Sequence, residues 1–177
     1  MTTPANPDNP KVETIRQSVQ HSYTALNELI DGPLAKLDPQ KLYEVPAENE
    51  WTIMQNLAHV AEFMPYWANE IAKLVANPGQ NFGRVMTDER RIKFISDHAN
   101  DTLPQIRSLL PTSYARLKEV LSTLKDGDLE LTGIHVRYGE KSLDWFMEEF
   151  VTKHMSDHVV QLREELQGVS SLWNGQD

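Results

Sequence analysis

An all-α fold, a bundle of helices joined by long connections, is predicted for this 177-residue chain by three observations. Four long stretches repeat apolar residues at spacings of three and four, the period of a helix with one buried face. Pro, Gly, Asn and Asp cluster between those stretches and break them. The length, with 40% hydrophobic residues, suits one domain with a sizeable core and would cramp two.

The chain opens Met1-Thr-Thr-Pro-Ala-Asn-Pro-Asp-Asn-Pro, with neither a positive region nor an apolar run, so residues 1–10 read as a disordered lead and not a signal peptide. The bundle is expected over 11–168 and a short tail over 169–177. The first helix is predicted over 11–30, with Val12, Ile15, Val19, Tyr23, Leu26 and Ile30 in its stripe and Asp31-Gly32-Pro33 as its stop. The second follows Thr52 as N-cap and carries Ile53, Leu57, Val60, Met64, Trp67, Ile71 and Leu74 to Asn77-Pro78-Gly79. At that length it spans about 37 Å. In the third, Pro104 and Pro111 predict a late start or a kink before the stripe Tyr114, Leu117, Val120, Leu121 and Leu124, which ends at Asp126-Gly127. The fourth has Ser142 as N-cap, Asp144 in its first turn, and the stripe Leu143, Phe146, Met147, Phe150, Val151, His154, His158, Leu162, Leu166 up to Gly168. The connections at 31–51, 77–100 and 126–141 are long for a simple up-down bundle. They imply crossovers, a short extra helix near Asp88–Ile95, or functional loops.

The formal charge is −9, and the 17 basic residues are scattered, so there is no cationic stripe for nucleic acid or acidic lipid. No segment approaches the ~20 apolar residues that span a bilayer, and a cytoplasmic protein is the expectation. Cysteine is absent. Disulfides, thiolate ligands and a cysteine nucleophile are therefore excluded, leaving His, Asp and Glu as metal ligands.

His154 and His158 lie four apart inside the apolar stripe of the fourth helix, so both imidazoles face one side about a turn apart. Two readings stand. They are neutral core histidines bonded to buried partners, or they are ligands of a divalent metal, as His at i and i+4 often is. Two adjacent imidazoles strain the first reading, since an unpaired buried polar group costs roughly 1–3 kcal/mol. A third candidate, His59 in Asn56-Leu-Ala-His-Val-Ala-Glu-Phe, shares its helix face with Gln55, Glu62, Phe63, Tyr66 and Glu70. Its alternative is a solvated face. Three imidazoles from two helices leave coordination positions open, the pattern of a catalytic site, where an ion can activate water, polarise a carbonyl or bind an external thiolate.

Two segments carry a family resemblance. Glu50-Trp-Thr-Ile-Met-Gln-Asn-Leu-Ala-His-Val-Ala-Glu resembles the tryptophan-led second helix of the DinB-like superfamily. Gly139-Glu-Lys-Ser-Leu-Asp-Trp-Phe, leading into His154-x-x-x-His158-x-x-Gln161-Leu162, resembles its fourth. The resemblance implies a four-helix bundle running up-down-down-up with long crossovers, often a homodimer, with His59, His154 and His158 binding nickel, zinc or a similar ion. Imidazole suits both metals. Some relatives are metal-dependent hydrolases. Others use mycothiol, bacillithiol or glutathione in transfer and isomerisation. The damage-inducible gene behind the name says nothing of DNA contact.

Catalytic candidates beside the triad are Glu62, to orient His59 or take a proton, Gln161, one turn beyond His158, and Tyr66. Asp157 points some 100° away from His158 and is expected in solvent. His21, His98 and His135 are expected not to be ligands. Arg84, Arg90 and Arg91 are expected in a solvated loop, with contact to an anionic substrate as the alternative. Phe63, Tyr66, Trp67, Trp145 and Phe150 read as core. The expected function is a metal-dependent enzyme acting on a small organic substrate, with water or a low-molecular-weight thiol as nucleophile. The alternative is a non-catalytic, dimeric, stress-associated binding bundle with a structural or vestigial metal site.

Overall fold

Helix α1 (Pro10–Asp31) begins at a proline, whose missing N–H costs nothing in a first turn. The free N–H groups behind it are capped from the far end of the chain: Asp126 accepts from the backbone of Lys11 and Val12 at 3.1 and 3.0 Å. The computed structural model describes residues 8–48 and 50–168. Most of the expected N-terminal lead, through residue 7, and the expected tail at 169–177 lie outside the described residues, and the helix takes Pro10 from the lead.

Helix α2 (Ile53–Ala76) starts at a full capping box: Thr52 Oγ1 accepts from Gln55 N–H, and Gln55 Oε1 accepts from Thr52 N–H. A short α3 (Glu89–His98), capped by Asp88, occupies the second long connection, one of the alternatives its length left open. Helix α4 (Leu103–Thr123) begins before Pro104, which corrects the expected late start. Pro104 sits in the first turn, where proline is tolerated. Pro111 lies on the exposed side of the continuing helix, where water can take up the carbonyl it frees.

The fourth bundle helix is composite. It comprises α5 (Leu143–Met147), capped by Ser142 as predicted, a π-helical segment (Glu148–Lys153) and α6 (His154–Leu166). Thr152 Oγ1 donates back to the carbonyls of Met147 and Glu148 inside the wide turn. In a pure α-helix residues four apart advance about 40° around the axis, so Phe146 and His158 would diverge by about 120°. The π segment takes back part of that drift. Phe146, Phe150, His154 and His158 thus stay on the face that meets α2.

Contacts along the helices fix the topology. Arg16 near the start of α1 donates to the Leu121 and Leu124 carbonyls at the end of α4, and Asp31 at the end of α1 pairs with Arg107 near the start of α4. These two helices are antiparallel. Asn69 late in α2 meets Arg116 late in α4, so those are parallel. His59 early in α2 meets His154, whereas Trp67 further along stacks on Phe150. The composite helix therefore runs against α2, and the bundle reads up-down-down-up. Leu57, Phe63, Met64, Ile71, Ile106, Leu110, Leu117, Phe146 and Leu162 fill its core at no exposure.

One element departs from the all-helical expectation. Strands β1 (Thr132–His135) and β2 (Gly139–Ser142) form an antiparallel hairpin in the last connection. The loop after α2 is laced to β1: Gly79 N–H donates to Thr132, Phe82 N–H to Ile134, and Ile134 N–H to Gln80. The loop is thereby fixed beside the bundle core.

Thr52→Ala is expected to cost about 1 kcal/mol through the lost cap, and Phe146→Ala about 3–5 kcal/mol. Urea unfolding checks both. A cost under about 1 kcal/mol at Phe146 would contradict its place in the core.

Candidate metal centre

The capping box sets the first turn of α2, and His59 follows one turn later facing the composite helix. There its Nε2 lies 3.0 Å from Nε2 of His154, which lies 3.2 Å from Nε2 of His158. All three rings are buried, at 3, 4 and 0% exposure. The solvated-face alternative for His59 does not hold. Trp51 meets the His59 ring edge-on and Phe63 packs against all three imidazoles.

Proton counting shows what this arrangement asks for. An imidazole nitrogen carries either a proton or a lone pair. His154 Nε2 therefore has one direction in which to bond, yet two nitrogens face it. A cation at the centre accepts three lone pairs at once. Zinc–nitrogen bonds of about 2.0–2.1 Å place nitrogens about 2.8–3.0 Å apart in octahedral and about 3.3–3.4 Å apart in tetrahedral geometry, which brackets the observed spacing. Among the described residues, His59, His154 and His158 form the group that can hold a metal ion. Burial, then the neighbouring imidazoles, holds His59 well below the usual histidine range, and burial and His154 do the same for His158. Both are thus in the neutral form that ligates.

The supporting candidates separate. Glu62 Oε2 lies 3.7 Å from His59 Nδ1, but both its oxygens accept from Arg84, at 2.6 and 2.5 Å. Its carboxylate is thus engaged by Arg84, and His59 Nδ1 lies beyond hydrogen-bond reach of it. Arg84, read from sequence as a solvated loop residue, is instead half-buried in this pair, with its guanidinium 3.7 Å from the centre of the Tyr66 ring. Burial, reinforced by Glu70, raises the Tyr66 phenol far above its usual range, so it remains a proton donor. Gln161 is buried beside His158, where its amide opposes the downward shift of that ring. Asp157 points away and pairs with Lys153. His21 is exposed and His98 pairs with Asp101.

A cavity of about 30 Å³ lies against the triad, walled by His59, His154, Arg84, Met86, Arg91 and His135. Arg91 donates to the Met86 carbonyl and lies over Trp51, whereas Arg90 is exposed. His135 is outside the converging trio, yet it is buried at this wall. Its strand reads inside out: Gly133 and His135 face inward while Ile134 and Val136 face solvent. Gly83, at φ +81°, lets the loop pass so close that a Cβ there would lie 2.6 Å from the His135 ring. Glu70 accepts from its N–H at 3.0 Å. Trp67 and Phe150 line the cavity as well as packing in the core.

A family model described as the DinB superfamily matches residues 22–162. The chain belongs to the DinB superfamily. No curated protein sequence matches this DinB protein. Its fold is similar to that of YfiT from Bacillus subtilis, described as a probable metal-dependent hydrolase with an unusual four-helix bundle topology. The TM-score is 0.69 at 14% identity, covering 96% of this chain and 95% of the other. A mutant of the mycothiol-dependent maleylpyruvate isomerase matches with a TM-score of 0.63 at 16% identity, over 90% of this chain and 62% of that one. A second structure of that isomerase gives 0.58 at 12%, over 91% and 61%. At such identities the likeness is one of fold. No helix of the described residues is long and apolar enough to cross a membrane.

The depressed histidines make the metal-free protein acid-sensitive. The unfolded chain takes up their protons below about pH 6.5 while the folded one does not. Stability is full above that pH and falls below it. Glu165 acts oppositely, since burial raises it to about 7, so its contribution is present in acid and lost as pH rises through that value. In chelator, Tm of the Glu165→Gln variant, which removes the opposing group, is expected to fall steadily from about pH 7 to 5. A flat Tm would contradict neutral buried histidines.

Proposed function

We propose that this DinB protein is a divalent-metal-dependent enzyme acting on a small, anionic organic molecule, with nickel or zinc held by His59, His154 and His158. The convergence of two buried imidazole nitrogens on that of His154, at 3.0 and 3.2 Å, carries the reading. Bound there, a divalent ion supplies Lewis acidity, which activates an oxygen or sulfur nucleophile near neutral pH. The protein's own groups do the rest. Glu62, held by Arg84, puts a carboxylate 3.7 Å from His59 Nδ1 and favours that ring electrostatically. Arg91 brings positive charge to the cavity wall, which suits a carboxylate or phosphate on the substrate, while the charge of Arg84 is matched by Glu62. Tyr66 keeps its proton.

The nucleophile favoured by this arrangement is a low-molecular-weight thiol. With both Glu62 oxygens engaged by Arg84, no free carboxylate base stands beside the triad among the described residues. A thiol, with a pKa near 8.5, needs less help than water. Hydrolysis is the second reading, supported by the fold shared with YfiT. The proposal takes the protein to act in the cytoplasm as a homodimer, without nucleic acid or membrane, and light scattering tests the dimer.

Elemental analysis is expected to find one nickel or zinc per chain, falling to about a tenth or less in His59→Ala, His154→Ala and His158→Ala. A metal-free, folded wild type would defeat the reading. Metal-loaded protein is expected to turn over thiol-plus-epoxide or thiol-plus-maleyl substrates faster than ester and amide panels. Inertness in both would remove the catalytic claim. Deleting Thr152, which should convert the π segment to plain α-helix, is expected to preserve helical circular dichroism and abolish metal binding. Retained stoichiometry would show that the π turn does not set the histidine face.

A further inference from the structure

The cavity against the triad is too small for the molecule on which the centre is proposed to act. Its volume of about 30 Å³ holds one or two water molecules, whereas sites for organic ligands run to about 300–1,000 Å³. An organic substrate therefore reaches the histidines only if part of the wall moves. Much of that wall belongs to the packed frame: α2 gives His59 and Trp67, the composite helix gives Phe150 and His154, and the hairpin gives His135. The rest, Arg84, Val85, Met86 and Arg91, comes from one stretch, the loop before α3 and the first turn of α3 itself.

That stretch is fastened at both ends and held lightly between them. Before it, Phe82 N–H donates to Ile134 on β1 and Gly83 N–H donates to Glu70 on α2. After it, the Asp101 carbonyl accepts from the Tyr43 hydroxyl at 2.8 Å, just ahead of α4. Within residues 84–98, Ile95 is the one buried residue, and it stands outside the apolar cluster that fills the bundle. Val85 and Ile92 are 49 and 50% exposed. The firmest hold is polar: Arg84 donates twice to Glu62 on α2 and lies on Tyr66, and Arg91 lies 5.0 Å over Trp51. Segments with so few buried apolar contacts open locally, well short of global unfolding. We propose that residues 84–98 are a lid over the candidate metal centre, latched by the Arg84–Glu62 pair, which lifts to admit an organic substrate. Gly83, in the left-handed region at φ +81°, joins the lid to the fastened part of the loop. Arg91 travels with the lid, so closure brings its charge back onto an anionic substrate. What the lid admits rests on the enzyme reading above; that it opens rests on the packing alone.

Hydrogen exchange, followed peptide by peptide on the full chain in chelator, tests the lid apart from the metal, so a wild type that binds no metal defeats the enzyme reading without deciding this one. Amides of α3 are expected to exchange at least about a hundred-fold faster than those of α2. The double variant Glu62→Gln/Arg84→Ala removes the latch without leaving a buried charge unpaired. It is expected to speed α3 exchange at least about ten-fold further and to leave α2 unchanged. Diethyl pyrocarbonate, which acylates accessible imidazoles, then reports whether opening uncovers the centre. Modification of His59 and His154 is expected to rise by a similar factor in the variant, while the exposed His21 reacts as before. The proposal is overturned if α3 exchanges in step with α2, if the variant leaves α3 exchange unchanged, or if α3 opens and the two histidines become no more reactive. Should the variant fail to fold, the wild-type ratio of α3 to α2 exchange decides alone.

Discussion

The arrangement of this protein turns on a shortage of protons. Three imidazole nitrogens meet inside a bundle core, on buried rings, and the central one, on His154, faces two others within 3.2 Å. Neutral imidazoles in that geometry cannot satisfy one another in pairs, and charging them in the core is opposed by burial. A shared cation relieves both difficulties. Much of the surrounding structure serves that meeting point: the capping box that fixes the start of α2, the π segment that keeps four side chains of the last helix on one face, and Phe63 packed against every ring.

The same constraint explains the loop after α2. Glu62 stands beside His59, and a lone carboxylate in this partly buried position would be costly. Arg84 neutralises it with two hydrogen bonds and lies flat on Tyr66. Arg84 can reach that place because the loop is tied to β1 by backbone hydrogen bonds and passes His135 at a glycine. A strand pair that contributes little to the core thus decides the electrostatics of the cavity. The long connections of the bundle are where the site is finished, which a short-looped bundle would have no room to do.

Sequence patterns made the parts governed by local physics legible. The stripes of α1 and α2, the caps at Thr52 and Ser142, the short helix after Asp88 and the histidines themselves follow from periodicity and turn chemistry within a few residues. What was hidden depends on contacts distant in the chain. The cap on α1 comes from Asp126, more than a hundred residues away. Arg84 looked solvated because its partner is in another element. His135 was masked by a strand whose apolar residues face outward. Pro104 and Pro111 suggested a late start because sequence does not reveal that Pro104 falls in the first turn and Pro111 on an exposed side. The π segment escaped because a stripe judged at 3.6 residues per turn presumes an α-helix throughout.

The central claim is that His59, His154 and His158 share one metal ion, and X-ray absorption at the metal edge of purified, nickel- or zinc-loaded protein addresses it directly. The account predicts a first shell containing three imidazole nitrogens at about 2.0–2.1 Å, with the outer-ring scattering of histidine, reduced in each single alanine variant. A shell of oxygen alone, or a histidine count that the His154→Ala and His158→Ala changes leave untouched, would contradict it.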